Sequence, residues 1–235
     1  MPQNLSSNQY KFQDRKEATL KLIDALPVKN MREEEWMIVA ISKNAAEMAS
    51  LIAQKTSSFF EIMFIEEIYA LNNPEYKIAM VSETEDIVVH KELVESFEIS
   101  LDYIYGEAHR KFDEKILKDI TAFRKVDETI GSKIEGKRIL IVDDGCETGL
   151  TALTAVKSVI NKKAKAVFLA VPILPIEVKK SLISVVDGIY YIYAIENFIE
   201  LEYYYKNFDD AEEEYVKSLL KKERENQKNK LIEEL

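Results

Sequence analysis

Short runs of apolar residues alternate along the chain with segments in which apolar residues recur at helical spacing. The runs occupy residues 36–41, 59–65, 139–142, 166–171 and 188–195, and they are typical of buried parallel strands. Helical spacing occurs over residues 16–26, 44–56, 150–160 and 176–186. This alternation predicts an α/β fold with a central, mostly parallel, twisted sheet, right-handed crossovers and flanking helices.

Residues 77–129 depart from that alternation. Residues 77–81 and 86–89 flank the sequence Ser-Glu-Thr-Glu and predict a β-hairpin, and residues 100–123 have long helical character. We expect a hairpin and helical insertion at about 77–129 within a single domain of residues 12–209.

Both ends of the sequence are polar or charged. Residues 1–11 are expected to be disordered, and residues 1–10 lack the apolar core of a signal peptide. Residues 210–235 predict a charged C-terminal helix. Its apolar residues favour a docking or dimer contact, and they are Leu219, Leu220, Leu231, Ile232 and Leu235.

The segment after the strand at 139–142 is the most informative part of the chain. Asp143 and Asp144 end the strand, a turn with Gly145 and Gly149 follows, and a helix begins near Leu150. The start of a helix presents unpaired N–H groups to a phosphate, and carboxylates accept hydrogen bonds from the hydroxyl groups of a sugar. The order of these features predicts a site for a phosphorylated ribose.

Composition narrows the choice of partners. The net charge of −10 argues against nucleic acid, and it means that a polyphosphate ligand needs bound Mg²⁺. The single cysteine, Cys146, excludes an intrachain disulfide and is expected to fill space in a loop. No apolar run approaches the length that spans a membrane. His90 and His109 have no metal-ligand spacing. We expect a cytoplasmic protein with no membrane partner.

Residues 142–151, Val-Asp-Asp-Gly-Cys-Glu-Thr-Gly-Leu-Thr, resemble the diphosphoribose-binding motif of type I phosphoribosyltransferases. The order of elements resembles a bacterial group usually labelled predicted phosphoribosyltransferases. Three further stretches carry this resemblance, namely Phe12-Gln13-Asp14-Arg15, Asn73-Pro74-Glu75 and the aromatic and acidic segment 203–214.

The resemblance implies transfer of a phosphoribosyl group from phosphoribosyl pyrophosphate to a nitrogen nucleophile such as a nucleobase, a reaction of nucleotide metabolism. It implies Mg²⁺ bound through the pyrophosphate, and a homodimer. Asp143 and Asp144 would hold the ribose hydroxyls and stabilise positive charge on the sugar. Lys43 and Asn44 would face the pyrophosphate. The residues that would hold the 5′-phosphate are Gly145, Cys146, Glu147, Thr148, Gly149, Leu150 and Thr151.

Four departures from the family pattern keep a second interpretation open. The pyrophosphate loop reads Ser42-Lys43-Asn44-Ala45 and lacks glycine, and Glu66 and Glu67 stand where basic residues are expected. Glu147 and Leu150 replace small residues in the phosphate loop. The alternative is a non-catalytic or regulatory module of the same fold that binds a sugar phosphate, a nucleotide or a protein partner.

Other features have ordinary explanations beside functional ones. A response-regulator receiver also ends a strand in two acids, but its order of acids and lysine is absent here. The tyrosines between Tyr190 and Tyr205 either line a base-binding hood or pack against the sheet. Arg15 and Arg124 could bind a phosphate, but the more common expectation is that they are exposed helix arginines, which usually do not.

Overall fold

The computed structural model describes residues 10–124 and 129–233, and side chains as far as residue 229. The strands in these residues are β1 (Trp36–Ala40), β2 (Phe59–Ile62), β3 (Ile65–Ala70), β4 (Asn73–Ser82), β5 (Ile87–Val89), β6 (Arg138–Val142), β7 (Ala166–Ala170), β8 (Ile173–Pro175), β9 (Gly188–Tyr190) and β10 (Tyr193–Ile195). The helices are α1 (Arg15–Ala25), α2 (Val28–Glu33), α3 (Ala46–Thr56), α4 (Lys91–Ser96), α5 (Leu101–Lys111), α6 (Leu117–Phe123), α7 (Gly131–Ile134), α8 (Leu150–Asn161), α9 (Ile176–Leu182) and α10 (Glu213–Glu233).

A five-stranded parallel sheet forms the centre of the fold, in the order β2-β1-β6-β7-β9. One face packs against α1, α3 and the insertion, and the other packs against α8 and neighbouring segments, so that the sheet is buried on both faces. This confirms the fold class that the sequence predicts. The continuous apolar runs are explained by burial on both faces, which leaves no solvent side to require polar residues.

Two predicted strands are each divided in the structure. The run 59–65 ends as β2 at Ile62, and β3 then begins an antiparallel sheet with β4 and β5. The run 188–195 is broken into β9 and β10, because the N–H groups of Ile192 and Tyr193 donate to the carbonyl of Pro172 and turn the chain. β10 then pairs with β8 in a separate two-stranded sheet.

The predicted hairpin and helices of the insertion are confirmed. β4 and β5 pair antiparallel, and the helical segment 101–123 runs through α5, a π-helical turn at Phe112–Ile116 and α6. Their apolar side chains extend the core on one face of the central sheet. The division of the chain into domains remains a prediction.

Arg124 is buried, contrary to the expectation of an exposed helix arginine. It is 4% exposed, and its guanidinium donates to both carboxylate oxygens of Glu83, at 2.8 and 2.6 Å. It also donates to the carbonyl of Ile62, and its Nε lies 3.5 Å from the carboxylate of Glu61. Arg124 therefore joins the end of the insertion to the end of β2 through buried charge.

The C-terminal helix α10 packs on α3 and β2. Val216 and Leu220 are buried there, and Leu219 packs against the same core. Leu231, Ile232 and Leu235, which favour a docking contact in the sequence, lie outside the described side chains. Of residues 1–11, which are predicted to be disordered, residues 1–9 lie outside the described part of the chain, whereas the N–H of Lys11 donates to the carbonyl of Tyr204 at 2.8 Å. None of the described helices is both long and apolar enough to cross a membrane.

Candidate functional site

The carboxyl ends of β1 and β6 form one edge of the site. Parallel pairing aligns Ala40 with Val142, so the residues that follow these two strands lie side by side. Ser42 Oγ donates to Asp143 Oδ1 at 2.7 Å. This hydrogen bond joins the predicted pyrophosphate loop to the predicted ribose-binding acid.

The two aspartates occupy different environments. Both aspartates border a cavity, but Asp143 is half-buried, whereas Asp144 is 6% exposed and its Oδ2 accepts a hydrogen bond from Arg15 Nε at 2.6 Å. Burial raises the pKa of both carboxyl groups; the charge of Asp144 raises the pKa of Asp143 further, and Arg15 opposes the rise at Asp144. Asp144 is therefore paired with a cation of the protein, whereas the side-chain donor to Asp143 is the neutral hydroxyl of Ser42.

The loop between β6 and α8 has the geometry of a phosphate cradle. Gly149 precedes α8 with φ 79°, in the left-handed region that favours glycine. A cavity of about 150 Å³ lies against this loop and against Thr151 on the first turn of α8. The N–H groups and partial positive charge of this helix start are suited to an anion. Burial raises the pKa of the Cys146 thiol to about 12, so Cys146 is a neutral part of the loop.

We expect Gly149→Ala to destabilise the fold by about 2 kcal/mol or more, since it forces an L-residue to adopt a positive φ. The new Cβ would also lie 2.9 Å from Val178 Cγ1. Gly136→Ala is a matched control, because Gly136 has φ 75° and no atom within 4 Å of an added Cβ. Urea denaturation measures both changes. Equal losses in the two variants would contradict a packing cost at Gly149.

Lys43 and Asn44 are held by acids and backbone of the protein itself. Lys43 Nζ lies 2.8 Å from Asp119 Oδ1. The Asn44 amide donates to Asp210 Oδ1 at 2.9 Å and accepts from the N–H of Ala211 at 2.8 Å. Both predicted pyrophosphate ligands therefore already have protein partners.

Residues 199–211, here called the covering segment, lie across both halves of the site. A Cβ added to Gly145 would collide with Leu201 Cδ1, so the Leu201 side chain lies directly on this glycine. Glu147 is exposed and its Oε1 accepts a hydrogen bond from the N–H of Leu201 at 2.7 Å. Tyr205 donates to the carbonyl of Asp144. Glu147 thus helps to hold the covering segment.

Arg15 connects the covering segment to the acid pair. Its guanidinium donates to the carbonyl of Asp209 as well as to Asp144, and it lies 3.9 Å from the centre of the Phe208 ring. Only 11% of its side chain is exposed, which corrects the expectation of an exposed helix arginine. In the sequence, the stretch Phe12-Gln13-Asp14-Arg15 was the sign that Arg15 has a structural role. In the structure, Phe12 of this stretch packs on Tyr205, and Asp14 caps α1.

Glu66 and Glu67 are both paired with lysines of the insertion. Glu66 lies 3.6 Å from Lys111 Nζ and 3.3 Å from Lys115 Nζ, and Glu67 pairs with Lys77. Lys77 also borders the cavity beside the phosphate loop. Nothing in the sequence pointed to Lys77, because only the pairing of β3 with β4 brings this strand residue to the site.

Comparison with known proteins identifies the family. Residues 7–206 match the phosphoribosyl transferase domain. The chain belongs to the phosphoribosyl transferase domain family. Among solved structures, the phosphoribosyltransferase-like fold is similar to that of TT1426 from Thermus thermophilus, with 22% identity, a TM-score of 0.71, and coverage of 89% of this chain and 97% of that one.

Two enzymes of known reaction are more distant. Hypoxanthine phosphoribosyltransferase from Trypanosoma cruzi, in complex with its product IMP, gives 13% identity and a TM-score of 0.44, with coverage of 83% of this chain and 85% of that one. Purine phosphoribosyltransferase from Pyrococcus horikoshii gives 14% identity and a TM-score of 0.40, with coverage of 78% and 93%. The family match over residues 7–206 supports a function of the phosphoribosyltransferase type and does not indicate a particular substrate.

Proposed function

We propose that the site binds the 5-phosphorylated ribose of phosphoribosyl pyrophosphate, ribose 5-phosphate or a nucleotide. The 5-phosphate meets the loop from Gly145 to Gly149 and the first turn of α8, and the ribose hydroxyls meet Asp143. The observation that carries the proposal is the cavity that this loop, Thr151 and Asp143 share.

The cavity offers both cationic and anionic groups to a ligand. Lys77, which also pairs with Glu67, and the start of the twelve-residue helix α8 supply positive charge and N–H donors for a phosphate, while Asp143, Asp144 and Glu147 are acids on the same wall. Asp143 Oδ1 accepts a hydrogen bond from Ser42, and Asp143 borders the cavity. Its carboxylate can therefore accept hydrogen bonds from a diol as well. One ligand with phosphate and vicinal hydroxyls satisfies both sides.

The donor set at Asp143 fits Mg²⁺ bound together with a ligand. Mg²⁺ commonly takes one or two carboxylates along with substrate oxygens and water. No group of three or more His, Cys, Asp or Glu suited to a metal occurs in residues 10–124 and 129–233. Asp143 would therefore hold the ion only together with a ligand, and the ion would supply positive charge beside the acids.

We propose two functions that this binding could serve. In the first, the protein transfers phosphoribosyl to a nitrogen nucleophile, and Asp143 stabilises the positive charge that develops on the sugar. In the second, the fold binds the sugar phosphate without chemistry, as a regulatory module. The partners that already hold Lys43 and Asn44 favour the second, since a transferase must hold pyrophosphate as it leaves. The cytoplasmic location and the homodimer also remain proposals.

Isothermal titration calorimetry with ribose 5-phosphate tests the binding proposal. We expect saturable binding by the unmutated protein, and at least a tenfold weaker affinity in Asp143→Asn, because an amide replaces one acceptor of the sugar hydroxyls with a donor. Absence of binding by the unmutated protein to ribose 5-phosphate, phosphoribosyl pyrophosphate and a nucleoside 5′-monophosphate would refute the proposal.

Thermal unfolding from pH 4 to pH 8 shows whether Asp143→Asn is folded. The raised pKa of Asp143 means that the folded protein binds more protons than the unfolded chain above pH ~4, so this group lowers stability as pH rises. Asp143→Asn has no ionisable group at this position, so it does not lose this stability as pH rises. We expect it to be at least as stable as the parent at pH 7.5, and equal to it near pH 4.

A further inference from the structure

We infer that the site selects a 5-phosphorylated ribose that carries no pyrophosphate at C1. This inference rests on the proposed function and narrows its ligand class to ribose 5-phosphate or a nucleoside 5′-monophosphate. It comes from the contrast between the two halves of the site. The half at α8 keeps a cavity beside Gly149 and Thr151 although Leu201 covers Gly145, whereas the polar groups at residues 42–44 are hydrogen-bonded or ion-paired to other groups of the protein.

Polar groups that would meet a pyrophosphate are engaged by the protein. Ser42 Oγ donates to Asp143 and accepts from the N–H of Ala45 at 3.1 Å. Lys43 is paired with Asp119. The side-chain amide of Asn44 donates to Asp210 and accepts from the N–H of Ala211. A pyrophosphate would have to break these contacts before it gained any of its own.

Charge beside this loop opposes a further anion. A cavity of about 320 Å³ borders Asn44, and the charged residues on its wall are one arginine and four acids, namely Arg15, Glu47, Asp209, Asp210 and Glu212. The arginine is already committed to Asp144 and to the carbonyl of Asp209. Like charges within a few ångströms repel strongly where water is partly excluded. These four acids raise the cost of placing a pyrophosphate beside Asn44, whereas the cavity at the phosphate loop has three acids on its wall, Asp143, Asp144 and Glu147, together with Lys77 and the start of α8.

The covering segment and the insertion each place an acid beside this loop. Asp210 reaches Asn44 because the chain between Tyr205 and α10 crosses the loop after β1, and Tyr215 on α10 donates to Glu47 at 3.0 Å. Asp119 arrives from α6 on the insertion. Two separate elements thus place a carboxylate on the same short loop. Asp119 and Asp210 are the residues to which we assign the discrimination.

Calorimetric titrations of the unmutated protein measure the discrimination directly. The ligands are ribose 5-phosphate, a nucleoside 5′-monophosphate and phosphoribosyl pyrophosphate, each with and without Mg²⁺. We expect phosphoribosyl pyrophosphate to bind at least tenfold more weakly than ribose 5-phosphate in both conditions. The nucleoside monophosphate shows whether the natural ligand is a free sugar phosphate or a nucleotide, since the preferred one binds more tightly.

The double variant Asp119→Asn with Asp210→Asn tests the assigned residues. We expect its affinity for phosphoribosyl pyrophosphate to rise at least fivefold while its affinity for ribose 5-phosphate stays the same. The matched control is Asp102→Asn with Asp113→Asn, which removes two charges from exposed positions of the insertion. We expect this control to change neither affinity.

Phosphoribosyl pyrophosphate binding with Mg²⁺ as tightly as ribose 5-phosphate would overturn the inference and leave the proposed function intact. An unchanged affinity in the double variant at the aspartates would overturn the role given to Asp119 and Asp210. Failure of all three ligands to bind would refute the proposed function itself. The comparison of ligands on the unmutated protein decides the selectivity even where a variant does not fold.

Discussion

Arg124→Met should destabilise the protein by about 3 to 5 kcal/mol, the usual cost of removing one partner from a buried ion pair. Arg124 and Glu83 are almost fully buried and share two hydrogen bonds. Methionine fills much of the volume of the arginine side chain, but it donates no hydrogen bond to Glu83. The donor that remains to this carboxylate among the described residues is the N–H of Phe64, at 3.3 Å. The cost comes from this uncompensated charge, which has lost its water and its partner.

The stability lost in Arg124→Met should depend on pH. Burial already raises the pKa of Glu83, and Arg124 opposes that rise. Without Arg124 the pKa rises further, so the folded variant binds more protons than its unfolded chain above pH ~4.5 and loses stability as pH increases. We expect the difference from the parent to be smaller at pH 4.5 than at pH 7.5, as measured by urea denaturation at the two values.

Arg110→Met is the matched control for burial. Arg110 also contacts two glutamates, Glu107 and Glu114, at 2.7 and 2.6 Å, but it is on the surface of α5. Exposed ion pairs contribute little, because water and salt screen them. A loss in Arg110→Met as large as that in Arg124→Met would show that the number of contacts, and not burial, sets the cost.

Arg15→Met should cost about 3 kcal/mol, for the same reason but at the candidate site. The variant leaves the buried Asp144 carboxylate without its guanidinium partner and removes the stacking on Phe208. The carbonyl of Asp209 also loses its donor, so the covering segment is held less firmly. Denaturant unfolding measures the loss.

A double-mutant cycle separates the charge effect from the loss of packing. Asp144→Asn in the Arg15→Met background removes the unpaired charge, and we expect it to recover at least about half of the lost stability. Arg15→Lys keeps the charge but cannot reach Asp144 and Asp209 with one planar group, so we expect a partial loss. No recovery in the double variant would contradict a dominant role of the Arg15–Asp144 pair.

The parallel sheet and the place of the acid pair were predictable from local patterns. Apolar runs with β-branched residues, three of them followed directly by a helical segment, leave few alternatives to strands buried between two layers of helices. Asp143 and Asp144 come directly after such a run, so their position at the carboxyl end of β6 follows from the chain itself. Gly149 at the start of α8 is equally local, since the turn requires a positive φ.

The breaks at Ile62 and Tyr190 were not predictable, because they depend on which strand each segment pairs with. β3 leaves the central sheet to pair with β4, and β10 leaves it to pair with β8. The apolar pattern continues through both breaks and carries no sign of them. A pattern records that a residue is buried, and not which partner buries it.

The sequence by itself determined the fold class and the placement of a glycine-containing loop beside two acids, because both depend on residues that are neighbours along the chain. Only the tertiary structure decided how those residues are used. Arg15 lies 129 positions from Asp144, and Asn44 lies 166 positions from Asp210. Contacts over such separations arise from the way the elements pack. They pair Asp144 with Arg15, and they pair Lys43 with Asp119 and Asn44 with Asp210.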